Sequence, residues 1–242
     1  RSCGVLLLVL VPTLLTVLAQ LTAELNPLAA TVFGAAVLFL CLGPRDLAED
    51  LRRLSRAWSG HDEAEQQRLW RILRAGPQPD AAYQPLLGTL FIQSHETLFG
   101  VLIWFAVAGP AGAVFYRCVS RLQRILVPAD ERGFRTGVWM HELAAFVPTR
   151  LTAALFARAG STNAGISAWR RVEQDASEPS LRRGWALLAE TASAASVMEP
   201  EDHLLEHARM DVALREVLRM QRRALLIGLA IYAVLVAGLW IG

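Results

Sequence analysis

The sequence predicts an all-α fold, a multi-pass transmembrane helical protein with amphipathic cytoplasmic or interfacial helices. Two observations support this prediction. Hydrophobic residues make up 54% of the 242 residues and charged residues only 19%, whereas soluble domains contain about 45–50% apolar and about 25% charged residues. The apolar residues are also concentrated in four stretches that carry no charge. This composition excludes a disordered chain and argues against a purely soluble globule.

The four uncharged stretches are each close to the length of a membrane span. They cover residues 2–23, 25–44, 97–116 and 224–242. A helix needs about 20 residues to cross the roughly 30 Å of hydrocarbon in a bilayer. Because lipid offers the backbone no hydrogen-bond partner, we expect each stretch to be helical.

The first two stretches predict a transmembrane hairpin over residues 1–43. The turn between its two helices is expected at Asn26-Pro27, a dipeptide that is typical of turns. The last stretch predicts a C-terminal transmembrane helix over residues 223–242.

The third stretch lies in residues 86–160, which we predict to be the membrane core. It contains Gly109-Pro110, followed by Gly112. Proline lacks a backbone donor and its ring clashes with the preceding helical turn. The stretch is therefore either a kinked spanning helix or a broken, re-entrant segment that lines a cavity.

A fifth apolar segment, residues 137–158, is interrupted by His141, Glu142 and Arg150. It is predicted to be either an in-membrane helix packed against the other helices or an interfacial amphipathic helix. The sequence leaves both alternatives open.

Two polar regions separate the apolar segments. Residues 44–85 contain seven arginines and seven acidic residues and predict an amphipathic helical loop and a linker. Asp46 with Glu49 has the pattern of an N-cap and N3 pair, and Asp62 with Glu65 is expected to start a second short helix. Residues 161–222 predict a second polar, amphipathic helical region.

The arginines give conflicting indications of orientation. Those in residues 44–85 place that region in the cytoplasm by the positive-inside rule. A straight third span would then leave the next arginines outside. These are Arg117, Arg121, Arg124, Arg132 and Arg135. A re-entrant third segment would return them to the cytoplasmic side.

Composition excludes several classes of function and partner. All 24 basic residues are arginine, so a P-loop or Schiff-base lysine is absent. A net charge of +2 gives no support for a nucleic-acid partner. Cys3, Cys41 and Cys118 form no CxxC pair and no disulfide framework. The expected partners are the lipid bilayer and an anionic small molecule or lipid; a protein partner is not indicated.

Five ionisable residues beside or within apolar segments are candidate ligand-binding residues. They are His95, Glu96, His141, Glu142 and Arg150. A charge at membrane depth is costly, so it normally pairs or lines a wet cavity. Such groups could hold a divalent metal, and Arg150 could bind an anion bidentately, although no metal ligand and no catalytic residue is assigned. In the alternative, Arg150 pairs with a carboxylate to fix helix packing and the histidines lie at the interface.

Residues 203–207 read His-x-x-Glu-His, a spacing that is found in some zinc proteases. The surrounding residues are densely charged and no third ligand follows, which favours a solvated helix start over a zinc site.

Two motifs in the predicted membrane core occur together in a known superfamily. The first comprises Trp104-Phe105, Gly109-Pro110-Ala111-Gly112-Ala113 and Tyr116-Arg117. The second is Phe146-Val147-Pro148-Thr149-Arg150-Leu151-Thr152-Ala153. They resemble the "FW…GPAGALLYR" and "W-[IV]-P-x-R-L-T-A" stretches of the CbiB/CobD and AmpE membrane proteins. The resemblance covers about residues 25–240 and implies a structural role for Gly109, Pro110, Gly112 and Pro148.

The two branches of this superfamily imply different functions. The CbiB branch forms an amide bond in cobalamin biosynthesis and carries an Asp-Asp…Asn pattern ahead of Pro-x-Arg. Here His141, Glu142 and Ala145 stand in those places, and the chain is shorter than CbiB proteins. It therefore looks more like AmpE, an inner-membrane protein linked to β-lactamase induction through cell-wall recycling.

The resemblance to AmpE implies a regulatory or signalling modulator, multi-pass in the bacterial inner membrane, with an intramembrane anion-binding site. AmpE-like chains begin with a further polar segment, so a truncated start is also implied. The alternative is a CbiB-like amide ligase of the adenosylcobinamide-phosphate synthase type. ATP and Mg²⁺ are implied as cofactors only in that alternative, and whether the protein is an enzyme stays open.

Overall fold

A computed structural model describes most of the chain. The described ranges are residues 2–23, 26–43, 86–125, 131–174, 180–196 and 206–241, with positions 49, 52–53, 56–57, 60, 62–65 and 68 between them. The ordered elements in these ranges are all helical. The prediction of an all-α fold is confirmed.

Nine helical elements have both of their ends within the described residues. They are α1 (Ser2–Ala23), α2 (Pro27–Leu42), α3 (Leu86–Ser94), a π-helix (His95–Phe99), α4 (Gly100–Ile125), α5 (Glu131–Ala159), α6 (Thr162–Gln174), α7 (Ser180–Ala195) and α8 (Glu206–Ile241). The last helix of the predicted polar region 161–222 and the C-terminal span form one element, because α8 is continuous over 36 residues.

Three helical segments are long and apolar enough to cross a membrane: Leu6–Ala23, Gly88–Leu122 and Arg215–Gly238. Pro27–Leu42 is a shorter apolar helix. Large apolar side chains such as Leu14, Leu28 and Val234 are exposed on these helices. In water this exposure would be unfavourable, whereas hydrocarbon accommodates it. The chain is an all-α membrane protein.

Helical contacts divide the chain into two compact units. The first unit comprises residues 1–45 and 95–148, and the second comprises residues 46–94 and 149–242. The division into five regions that was expected from the sequence stays a prediction.

In the first unit, the turn between α1 and α2 forms where the sequence predicts it. The side chain of Asn26 caps α2 by accepting hydrogen bonds from the backbone N–H groups of Leu28 (3.0 Å) and Ala29 (3.4 Å). Pro27 occupies the first helical position, where its missing N–H costs no helical bond. Gly43 ends α2 with a positive φ of 76°, which glycine adopts without a steric penalty.

Helix α4 is broken at the predicted Gly-Pro site. Ala108 (φ −128°, ψ 16°) and Gly109 (φ 63°, ψ −154°) leave the helical conformation. His95 and Tyr116 are 21 residues apart along the chain, yet their Nε2 and Oη atoms lie 3.2 Å apart. A straight helix would separate such residues by roughly 30 Å, at ~1.5 Å per residue. The chain therefore reverses direction at residues 108–109.

The reversal divides α4 into a first arm, residues 100–108, and a second arm, residues 109–125. Contacts at the two ends of the second arm give its direction. At the reversal, a Cβ on Gly109 would lie 3.1 Å from the side-chain nitrogen of Gln20, near the end of α1. At the other end, a Cβ on Gly43 would lie 3.3 Å from the guanidinium of Arg117. The second arm thus runs beside α2, from the α1–α2 turn towards the Gly43 end. This geometry favours the re-entrant alternative, whereas the sidedness of the arginines in a membrane stays a prediction.

In the second unit, small residues let helices approach closely. A Cβ on Gly88 of α3 would lie 2.9 Å from the Cβ of Ala189 in α7, and one on Gly165 of α6 would lie 2.8 Å from that of Ala157 in α5. The N–H of Ser161 donates to the carbonyl oxygen of Ala195 at 2.8 Å. Close backbone approach of this kind is typical of helix packing in membranes.

Few positions of residues 44–85 are described, and they agree with a polar helical loop. The N–H of Glu65 donates to the Asp62 carboxylate at 3.1 Å, which is the predicted N-cap bond. The Arg53 side chain donates to Glu49 at 3.2 Å, and this bond holds the pKa of Glu49 below its usual value. Asp46, which was expected to cap the preceding helix, lies outside the described residues.

The reversal at residues 108–109 predicts which membrane face a cysteine label reaches. We start from a variant in which Cys3, Cys41 and Cys118 are alanine and introduce Thr22→Cys or Arg121→Cys at exposed positions. Because the second arm returns to the Gly43 end, impermeant maleimide should label these two positions from opposite faces in oriented vesicles. Labelling of both from the same face would mean that residues 88–122 cross as one straight span.

Candidate functional site

A one-turn π-helix, residues His95–Phe99, interrupts the helix between α3 and α4. A π-turn inserts one extra residue into a helical turn, shifts the faces of the helix and occurs frequently at functional sites. Here it buries two consecutive polar residues, His95 and Glu96, inside a candidate membrane segment. Both residues were candidates from the sequence.

Glu96 forms a buried pair with His141 of α5. The Nε2 atom of His141 lies 3.0 Å from Oε1 and 3.1 Å from Oε2 of Glu96. Only 1% of the His141 side chain and 8% of the Glu96 side chain are exposed. An imidazole that is held by a carboxylate has a fixed ring orientation, which is a common arrangement for acid–base groups.

Tyr116 joins this pair to His95. Its hydroxyl lies 3.2 Å from Nε2 of His95, and its ring centroid is 6.2 Å from that of His141. Tyr116 was quoted in the first sequence motif, but it was not expected at the site. Its position depends on the reversal of α4, which brings the second arm back against the π-helix. The only sequence signal was its place after the Gly-Pro break.

Gly100 provides the space that Tyr116 occupies. A Cβ at this position would lie 2.3 Å from two ring carbons of Tyr116 and 2.5 Å from its hydroxyl oxygen. A rigid aromatic ring cannot yield by that amount without moving, so residue 100 must lack a side chain for this arrangement to form.

The five candidate residues fall in two units: His95, Glu96, His141 and Glu142 belong to the first and Arg150 to the second. Arg150 lies in the second unit, where its Nη2 atom donates to Oε1 of Glu173 in α6 at 3.2 Å. The carboxylate pairing of Arg150, one part of the alternative, is present with Glu173 as the partner. Glu142 is half-buried on α5 beside His141. A role for Arg150 in anion binding stays a prediction.

The described residues do not fit a magnesium ion at this site. They contain no group of three or more His, Cys, Asp or Glu side chains placed to share a metal. Mg²⁺ prefers several oxygen ligands, and the carboxylate of Glu96 is already bound by an imidazole. We therefore derive no chemical step through Mg²⁺ or its nucleotide. His203 of the His-x-x-Glu-His pattern lies outside the described residues.

Two grooves in the first unit are lined by the residues of the Gly-Pro motif. One, of about 390 Å³, is lined by Gly112, Ala108 and Trp104 together with α1. The other, of about 420 Å³, is lined by Pro110 and Phe105 together with α2. Gln20 borders both grooves, so its side-chain amide lies beside the break in α4.

The sequence matches the CobD/Cbib protein family over residues 1–198. The chain belongs to the CobD/CbiB family. It is 30% identical to "Cobalamin biosynthesis protein CobD" of Stutzerimonas stutzeri over 178 residues, which cover 70% of this chain and 58% of the relative. The protein of the same name from Chromobacterium violaceum is 28% identical over 178 residues, covering 70% and 56%. No solved structure matches.

Membership of the CobD/CbiB family corrects the function that was expected from the sequence. The prediction of a regulatory, AmpE-like protein in β-lactamase induction is wrong, since the family match and four curated relatives all point to cobalamin biosynthesis. The superfamily resemblance is confirmed, but nothing specifically supports its AmpE branch. The chain spans a little over half the length of the relatives from S. stutzeri and C. violaceum.

Gly100→Ala tests the packing of this family member's site. The new methyl group would collide with Tyr116 and displace it from His95. We expect the free energy of unfolding of the detergent-purified protein to fall by about 1–3 kcal/mol, as overpacking usually costs. Gly238→Ala is the matched control, because its Cβ would meet nothing within 4 Å. Equal thermal stability of the two variants would contradict the described arrangement.

Proposed function

We propose that this chain carries out an amide-forming step of cobalamin biosynthesis, in which a carboxyl group of a cobyric-acid-type corrinoid is joined to an amine. We further propose that it does so as a multi-pass protein of the bacterial inner membrane. The observation that carries the proposal is the CobD/Cbib family match over residues 1–198 of 242. The curated relatives that share this region are named as cobalamin biosynthesis proteins.

The chemistry of amide formation supports a role for the Glu96–His141 pair. Amide formation needs a carboxyl group that is activated by a nucleoside triphosphate as co-substrate, whose phosphate leaves as the C–O bond breaks and the C–N bond forms; the described residues are not assigned to that activation. The amine is protonated at neutral pH and must lose a proton before its nitrogen can attack the activated carboxyl carbon. An imidazole is the side chain best suited to accept a proton near pH 7. When Nε2 of His141 donates to Glu96, its Nδ1 atom carries the lone pair that takes the proton.

The proposed role of the Glu96–His141 pair also accounts for a departure from the sequence pattern of the family. The resemblance implies Asp-Asp…Asn ahead of Pro-x-Arg, and this chain has His141, Glu142 and Ala145 there. In our proposal a carboxylate-held imidazole performs the proton transfer in this chain. Glu96 supplies the carboxylate from the π-helix, 45 residues upstream of His141.

Growth on defined corrinoids tests the proposal. The host is a cobalamin-dependent strain that lacks its own CobD protein and expresses this chain. Cobyric acid still requires the amide-forming step, whereas cobinamide already contains the amide. We expect the chain to restore growth on cobyric acid, while cobinamide supports growth with or without it. Growth on cobinamide alone, with the chain present in the membrane fraction, would contradict the proposed reaction.

Glu96→Gln tests the buried pair within the same assay. The amide is nearly isosteric but cannot stabilise a protonated imidazole, so we expect conversion of cobyric acid to fall by about 10²–10⁴-fold, the usual contribution of general acid–base catalysis. Glu190→Gln on the exposed side of α7 is the matched control and should leave conversion unchanged. Unchanged conversion in Glu96→Gln at equal protein levels would remove the pair from the mechanism.

A further inference from the structure

A second attachment joins the two helices that carry the Glu96–His141 pair. The indole N–H of Trp104, in the first arm of α4, donates to the carbonyl oxygen of Ala144 in α5 at 2.9 Å. The two residues are 40 positions apart in the sequence. Other side chains of this chain bond helical carbonyls of their own helix, as Thr13 bonds the carbonyl of Val9, whereas the Trp104 bond joins two different helices.

The carbonyl of Ala144 is available because of the proline in the second motif. Its helical donor would be the N–H of residue 148, which is Pro148 and has none. Inside a membrane protein a carbonyl without a partner is costly. Trp104 supplies the missing donor, so one residue from each of the two sequence motifs contributes to a single contact.

The two attachments lie on the same faces of the same helices. Ala144 follows His141 by three residues, about one helical turn, and both are buried, at 3% and 1% exposure. Trp104 follows Glu96 by eight residues along the continuous π-helix and α4. One bond would leave α5 able to rotate or slide about it, whereas two bonds at different heights restrict both movements.

The indole itself is held in place. The ring of Phe115, on the second arm of α4, packs edge-to-face against Trp104 with centroids 5.3 Å apart. The reversal of the chain therefore sets the direction of the indole N–H as well as the position of Tyr116.

We propose that Trp104 is a positioning residue: by bonding the carbonyl that Pro148 leaves open, it fixes the rotation of α5 that keeps His141 against Glu96. Its consequence for turnover rests on the proposed function, whereas its effect on the pair does not. A purely structural role would require only that the Ala144 carbonyl has a donor. A positioning role requires that the donor comes from α4.

Three variants separate these roles. Trp104→Phe keeps an aromatic ring and removes the donor. Pro148→Ala restores a backbone N–H at residue 148, which can bond the Ala144 carbonyl within α5. In the double variant the carbonyl has a donor, but the link to α4 is absent. Trp139→Phe is the matched control, because Trp139 lies on α5 and is 61% exposed.

The readouts are thermal unfolding in detergent and the ¹⁵N resonances of the histidine rings, with His141 assigned from its loss in His141→Gln. We expect Trp104→Phe to lower the unfolding temperature and to shift the His141 Nε2 resonance away from its carboxylate-bonded value. The double variant should recover the unfolding temperature but keep the shifted resonance. Trp139→Phe should change neither.

An unchanged His141 resonance in Trp104→Phe would overturn the inference, as would its full recovery in the double variant. In an assay of the detergent-purified protein, we expect Trp104→Phe to lower the kcat for cobyric acid about 10- to 100-fold with little change in KM, as expected for a small misplacement of a reacting group. If the unmodified chain does not restore growth while the resonance shifts as expected, the proposed reaction fails and the positioning role stands.

Discussion

The reversal of the chain at Ala108 and Gly109 is the constraint on which the first unit depends. A helix that simply continued would carry Tyr116 far from His95, so their contact would be lost. The reversal requires a residue that tolerates a positive φ, and Gly109 does so because glycine has no side chain. The next residue begins a new helix, where its N–H has no helical partner, so Pro110 fits there without losing a hydrogen bond. The close approach of the two arms then requires residues without side chains where they touch, and Gly100 and Gly112 meet that requirement.

Burial of ionisable groups in such a fold is expensive, and the structure compensates for it by pairing them. Glu96 and His141 bind each other, and the hydroxyl of Tyr116 contacts His95. Removing one partner of a buried pair leaves the other buried without a counter-charge or hydrogen bond, which is unfavourable. The stability of each residue in its buried position therefore depends on its partner. A buried backbone group is stabilised in the same way. The carbonyl of Ala144 has no helical donor because residue 148 is proline, and the indole N–H of Trp104 donates to it instead.

These contacts explain what the two family motifs do in the structure. In sequence, the Gly-Pro motif and the Pro-x-Arg motif are separate stretches about 40 residues apart. In the structure, the first creates the reversal and presents Trp104, and the second creates the open carbonyl that Trp104 binds. The AmpE-like interpretation relied on local departures at His141 and Ala145, whereas family membership rests on a match over 198 residues. Departures at individual site residues are compatible with the same fold, because the packing that positions them lies elsewhere.

The sequence by itself determined the helical class, the membrane segments, the α1–α2 turn and the site of the break in α4, because each depends on local composition or on one residue's backbone preferences. It also singled out His95, Glu96 and His141, since ionisable residues in apolar stretches stand out without any knowledge of the fold. Only the tertiary structure decided that Glu96 pairs with His141, that Arg150 pairs with Glu173, and that Tyr116 and Trp104 contribute to the arrangement. These contacts join residues 21 to 45 positions apart, and they depend on the direction in which the chain leaves a break, which hydrophobicity and spacing do not encode.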